Sequence, residues 1–168
     1  MAGEVPLARE LMLQNVEACR SRGLVPRLFQ ALCNLALLEV MVGQTDRADM
    51  LVTEAVSLRP SLKALFPRVQ AQTVQAKVAQ RRGDMDAARR GARSALEITS
   101  HDEGPARLLA LLMMSWTDLC EGRHTSSVLM ESNQLGRRGD MRLLGCQALG
   151  VGAWFAARRH DPSEATLE

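Results

Sequence analysis

The chain has 168 residues, of which 46% are apolar and only 3% aromatic, with no Tyr at all. This is enough apolar material for one continuous core, which leucines and small side chains must fill because large rings are scarce. The 21 basic and 19 acidic residues leave a formal charge of +2 and are scattered without a block of like sign, a pattern of solvated helix faces rather than of a nucleic-acid interface.

A leading helix is predicted over 6–21, spanning Leu7 to Arg20. Pro26, shortly after Gly23, opens a helix over 27–42, and Gln44-Thr45-Asp46 supply capping oxygens and a first-turn acid for its partner over 45–58. Pro60 closes that pair. A second pair is predicted over 64–82 and 85–99, with Asp84-Met85-Asp86 at the start of its second helix. Gly104-Pro105 opens a third pair over 105–121 and 124–138, and a last helix over 141–159 is followed by a stub from Pro162. No stretch alternates strictly between polar and apolar residues, so the expected class is all-α.

The helices repeat. Gly43, Gly83 and Gly122, with His160 as a degenerate fourth anchor, are spaced by about 40 residues, a period within the range of helical solenoids. Seven positions before each anchor stand Ala36, Ala76, Ser115 and Ala153; five positions after come Ala48, Ala88, Ser127 and Ala165. Twelve positions after the first two come Ala55 and Ala95, where the third has Gln134. Two antiparallel helices joined by a tight turn approach closely only where side chains are small, and the turn residue is best a glycine because it leaves the helix with positive φ.

The stretch from Ala31 to Pro60, with Leu35-Ala36, Gly43, Ala48, Ala55 and Pro60, resembles a tetratricopeptide repeat, and that from Ala71 to Ser100 keeps Ala76, Gly83-Asp84, Ala88 and Ala95. The later units are more degenerate: Ser115, Gly122 and Ser127 in one, Ala153 and Ala165 in the other. The period exceeds the ~34 residues of the standard unit. In that, and in segments such as Asn133-Gln134-Leu135-Gly136-Arg137-Arg138-Gly139-Asp140, the chain resembles the superhelical repeat region of bacterial maltose-regulator and LuxR-like ATPase transcriptional regulators. The resemblance implies a right-handed α-α superhelix forming one repeat domain over 1–168, with units at about 24–60, 64–100, 104–139 and an incomplete 141–168. It also implies a non-enzymatic scaffold for a protein or peptide, as the effector-sensing segment of a larger regulator. The other readings are a small-molecule-sensing superhelix and a structural module that self-associates through its open ends, since the first helix lacks a pair-mate and the last pair is cut short.

The tetratricopeptide groove pattern places binding residues on the first helix of each pair. It selects Gln30, Cys33, Leu37, Val40 and Met41; then Gln70, Thr73, Lys77, Gln80 and Arg81; then Leu109, Leu112, Trp116, Leu119 and Cys120; and finally Gln147, Gly150, Trp154, Ala157 and Arg158. Trp116 and Trp154 stand at the same place relative to their anchors and could hold an apolar anchor of the partner, or fill space in an aromatic-poor core. Lys77, Arg81 and Arg158 suit an acidic partner or a free C-terminal carboxylate, or are solvated face charges. Met41 and Met113-Met114 could form an adaptable surface or fill core gaps.

Chemistry-bearing patterns are sparse. Cys19, Cys33, Cys120 and Cys146 lie far apart without the Cys-x-x-Cys or Cys/His spacing of a zinc site, and read as buried thiols. Three consecutive residues, His101-Asp102-Glu103, converge poorly on one metal ion, and His124 and His160 stand alone at turns. No phosphate cradle, nucleophile elbow or His-Glu-x-x-His occurs, so neither catalysis, cofactor nor metal is expected. The longest apolar runs, 108–114 and 148–157, fall short of a membrane span, and Glu4 and Arg9 interrupt the place of a signal peptide's apolar run, which makes the cytoplasm the expected compartment.

Overall fold

In the computed structural model, residues 4–58, 64–102, 104–123 and 126–136 are described. They form seven helices: α1 (Glu4–Ser21), α2 (Val25–Met41), α3 (Thr45–Leu58), α4 (Leu65–Arg81), α5 (Met85–Ile98), α6 (Pro105–Cys120) and α7 (Ser126–Gly136), with no strand among them. Each boundary falls within two residues of its expected place. The helix expected over 141–159 and the stub from Pro162 lie outside the described residues.

Helix ends are written by local chemistry. Gly23, Gly43, Gly83 and Gly122 adopt φ of +63°, +82°, +80° and +66°, and they are the described residues in the left-handed region. Around each the same pair of hydrogen bonds closes the helix. The glycine N–H donates to Arg20, Val40, Gln80 and Leu119 respectively, and the next N–H donates to the carbonyl of Cys19, Glu39, Ala79 and Asp118 at 2.8–3.0 Å. These are Schellman closures, which satisfy carbonyls that a helix end otherwise leaves exposed. Gly23 was not among the expected anchors: α1, read from sequence as lacking a pair-mate, is joined to α2 by the same reversal and packs on it.

Helix starts differ more. Asp84 Oδ1 accepts the Ala87 N–H at 2.9 Å, capping α5. Pro26 and Pro105 sit in the first turns of α2 and α6, where a missing N–H costs nothing. Gly104 has no side chain with which to cap α6, so Asp102 does it from two residues upstream: Oδ1 accepts the Gly104 N–H and Oδ2 the Arg107 N–H, both at 3.2 Å.

The chain divides into two compact units between Gly91 and Ala92, within α5. In the first unit one core runs through α1 to α4. It is built on Phe29, Leu32 and Leu35 of α2, with Val16 and Cys19 of α1, Ala48, Val52 and Ala55 of α3 and Val74 and Val78 of α4. Ala36, Ala48, Ala76 and Ala88, the small positions read from the repeat, are all buried. Glu39 is fully buried beside this core. Its Oε1 accepts Arg9 Nε at 2.9 Å, its Oε2 accepts Arg9 Nη2 at 2.6 Å, and Arg47 Nε lies 3.2 Å from Oε1. One carboxylate thus ties α1, α2 and α3. In the second unit Leu108, Leu111 and Leu112 of α6 pack with Leu135 of α7, and Arg107 joins its elements through Glu131 of α7 (2.8 Å) and the Leu96 carbonyl (2.9 Å).

Candidate functional site

The face that sequence reasoning selects in the first unit lies on α2 and α4. Residues at i, i+4 and i+7 of a helix share a face, so Gln30, Asn34, Leu37 and Met41 form one line along α2, and Gln70, Lys77 and Arg81 one along α4. The two lines meet at Asn34. Its Oδ1 accepts the Nε2 group of Gln70 across the helices at 3.2 Å and that of Gln30 from one turn earlier at 3.4 Å.

The carboxamides have a preferred orientation. Gln70 is buried and its Oε1 has no partner. Reversing its amide would bury two unpaired N–H groups instead, and an orphaned N–H is the rarer and costlier defect. With Oδ1 accepting from both glutamines, the Nδ2 group of exposed Asn34 is the donor that neither of them uses. Leu37 is half-buried, Met41 is 74% exposed, Lys77 is half-buried and Arg81 is exposed. The face therefore offers a carboxamide donor, an apolar border and, one turn apart on α4, two cationic side chains.

Several selected residues lie deeper than an open face allows. Gln70 is buried; Cys33 and Val40 belong to the core; Thr73 is buried and donates to the Val69 carbonyl at 2.9 Å. Burial pushes the Cys33 thiol up to about 12, so it is a neutral core group rather than a nucleophile. In the second unit Leu112 is a core residue and Leu119 is buried, whereas Trp116 is 42% exposed and Cys120, one turn further on, is exposed. Trp154 and Arg158, with Gln147, Gly150 and Ala157, lie outside the described residues. Asn34 is the residue that the sequence reading missed. Its position midway between Gln30 and Leu37 on one helical face was the available signal.

Neither the protein-family models nor the curated proteins contain a match to this chain. The carboxamide cluster thus stands on its own chemistry. No helix among the described residues is long and apolar enough to cross a membrane.

Proposed function

We propose that this protein is a non-enzymatic interaction module of tetratricopeptide type, its helix hairpins stacked as a right-handed superhelix, and that its α2/α4 face holds a segment of another polypeptide. The observation that carries this reading is the Gln30–Asn34–Gln70 cluster, which leaves the amide N–H groups of exposed Asn34 to donate on a face that also carries Leu37, Met41, Lys77 and Arg81. A donor beside cations suits a backbone carbonyl or a free or side-chain carboxylate, and the half-exposed apolar residues suit a neighbouring aliphatic side chain. The likeness to the repeat regions of bacterial regulators supports a sensing role for the same face.

The test is selection of a random displayed peptide library on the immobilised chain, followed by affinity measurement of the enriched peptides. Asn34→Asp keeps an acceptor for both glutamines but replaces the remaining donor with a negative charge. It is expected to weaken the selected peptides by at least about tenfold, the equivalent of ~1.4 kcal/mol, or one charge-assisted hydrogen bond. Lys77→Glu combined with Arg81→Glu is expected to abolish capture with the helical content unchanged. No enrichment on the parent chain, or enrichment indifferent to these variants, removes the reading.

A further inference from the structure

Five of the nine large apolar side chains that are exposed among the described residues fall between Val5 and Leu24, on or beside α1. This helix has two apolar faces. Val16 and Cys19 enter the core of the first unit, with Met12 packed against it. On the opposite side of the helix stand Leu7 and Leu11, each 56% exposed, in line with Gln14 and Ala18. A surface helix needs one apolar face, so the second calls for a partner.

The outer line is spaced four, three and four residues along Leu7, Leu11, Gln14 and Ala18, the spacing of seam positions in a two-stranded coiled coil. Its flanks identify the occupant. Exposed Glu10 and Glu17, which within the helix accept Gln14 Nε2 at 3.3 Å and Arg20 Nη1 at 3.0 Å, border the seam on one side; exposed Asn15 and, in the turn just past the end of α1, Arg22 lie on the other, each donor five residues after an acid. When two parallel copies of a helix pair, the residue before one seam position faces the residue five further along the partner, so Glu10 meets Asn15 and Glu17 meets Arg22, twice each by symmetry. Asn15 is oriented for this, because its Oδ1 already accepts the Cys19 thiol at 3.7 Å and its amide N–H groups remain to donate. An antiparallel pair would instead set Glu10 against Glu17.

We infer that this face of α1 binds the same face of a second copy of the chain in parallel register, along a two-fold axis parallel to the helix. Leu7 and Leu11 meet their counterparts on that axis, and Gln14 pairs with Gln14 of the second copy, fixing two strands and one register as a single polar seam residue does. The inference does not involve the α2/α4 face and stands or falls apart from the peptide-binding reading.

Sedimentation velocity of the whole chain over a concentration series tests it. The mass is expected to rise from 18.4 kDa toward twice that value, and Leu11→Arg is expected to hold the chain as a monomer at every concentration with an unchanged helical circular dichroism spectrum. Glu17→Arg and Arg22→Glu should each weaken association, and together restore it. A monomer throughout overturns the inference and leaves the face to a partner of another kind. A dimer that survives Leu11→Arg, or a double variant that fails to recover association, overturns it as well.

Discussion

The α2–α3 and α4–α5 hairpins share a backbone and differ in what stands at the reversal. Both close through a positive-φ glycine with the same pair of hydrogen bonds, and both bury alanines at matching places, Ala36 and Ala48 in one and Ala76 and Ala88 in the other. The residue whose carbonyl accepts the outer closing bond is Glu39 in the first and Ala79 in the second. Glu39 is buried and held by arginines of α1 and α3, whereas Ala79 brings no charge. The turn is therefore specified by glycine and small neighbours alone, and the buried ion pair is an addition that chooses which helices sit around the first hairpin.

The strongest way to break this comparison is Glu39→Ala. Arg9 bonds the carboxylate through both Nε and Nη2 and is itself largely covered, so removing the acid strands a partly buried guanidinium. Breaking a buried pair from one side costs on the order of 3 kcal/mol. Urea denaturation should show a loss of that size, and Arg47→Ala, at the outer and more exposed contact, should show a clearly smaller one. Equal losses from the two variants would mean that the Arg47 contact carries the whole effect and that α1 is not held preferentially.

A gentler test asks whether the two turns are the same object. At Gly43 and Gly83 an added Cβ meets nothing within 4 Å, so Gly→Ala substitution is opposed only by the left-handed backbone. Each should cost about 1 kcal/mol, and the two values should agree. Gly23 and Gly122 have the same open surroundings and the same φ region, and belong in the same series. A spread across the four much wider than the measurement error would show that the reversals are not interchangeable.

These turns are also why so much of the fold was legible. A glycine that ends a helix, an acid or proline that opens the next and an alanine at the crossing are local signals, and they located seven helices within two residues at each end. Gly23 stands outside the repeat of about 40 residues because the Gly23–Gly43 interval is half of that spacing. The Glu39–Arg9 pair spans 30 residues, and no local pattern announces a contact at that distance. Depth was the hardest property to read. The repeat pattern puts Gln70 on an open face, and it is on that side of α4, but α2 and α4 approach closely enough for its amide to reach Asn34 and be covered. Leu112 failed for a different reason: α6 carries apolar residues around nearly its whole circumference, so periodicity has no polar side from which to tell core from face. Asn34 itself is a polar residue on a mostly apolar helix, and only the approach of Gln70 distinguishes it from a solvated side chain.

The smallest effect sharpens the comparison from the other direction. Arg82 stands at the reversal of the second hairpin and reaches back to α3, donating to Asp46 at 2.9 Å and Asp49 at 2.8 Å. The hydrogen bond to Asp46, then that to Asp49, raise its pKa above the ordinary arginine value, so it remains cationic at every pH of interest. The chemistry is the same as at Glu39, yet Arg82 is 45% exposed and Asp46 is 95% exposed, and water and ions compete for both partners. Arg82→Ala should accordingly lower the unfolding midpoint slightly at low salt and not at all near 1 M NaCl, where the screening length shrinks to about 3 Å. Glu39→Ala should keep most of its cost at both salt concentrations, because the carboxylate it removes lies out of reach of solvent. If instead both variants lose their effect together in salt, the Glu39 pair is wetter than its burial implies and the two hairpins differ less in energy than in composition.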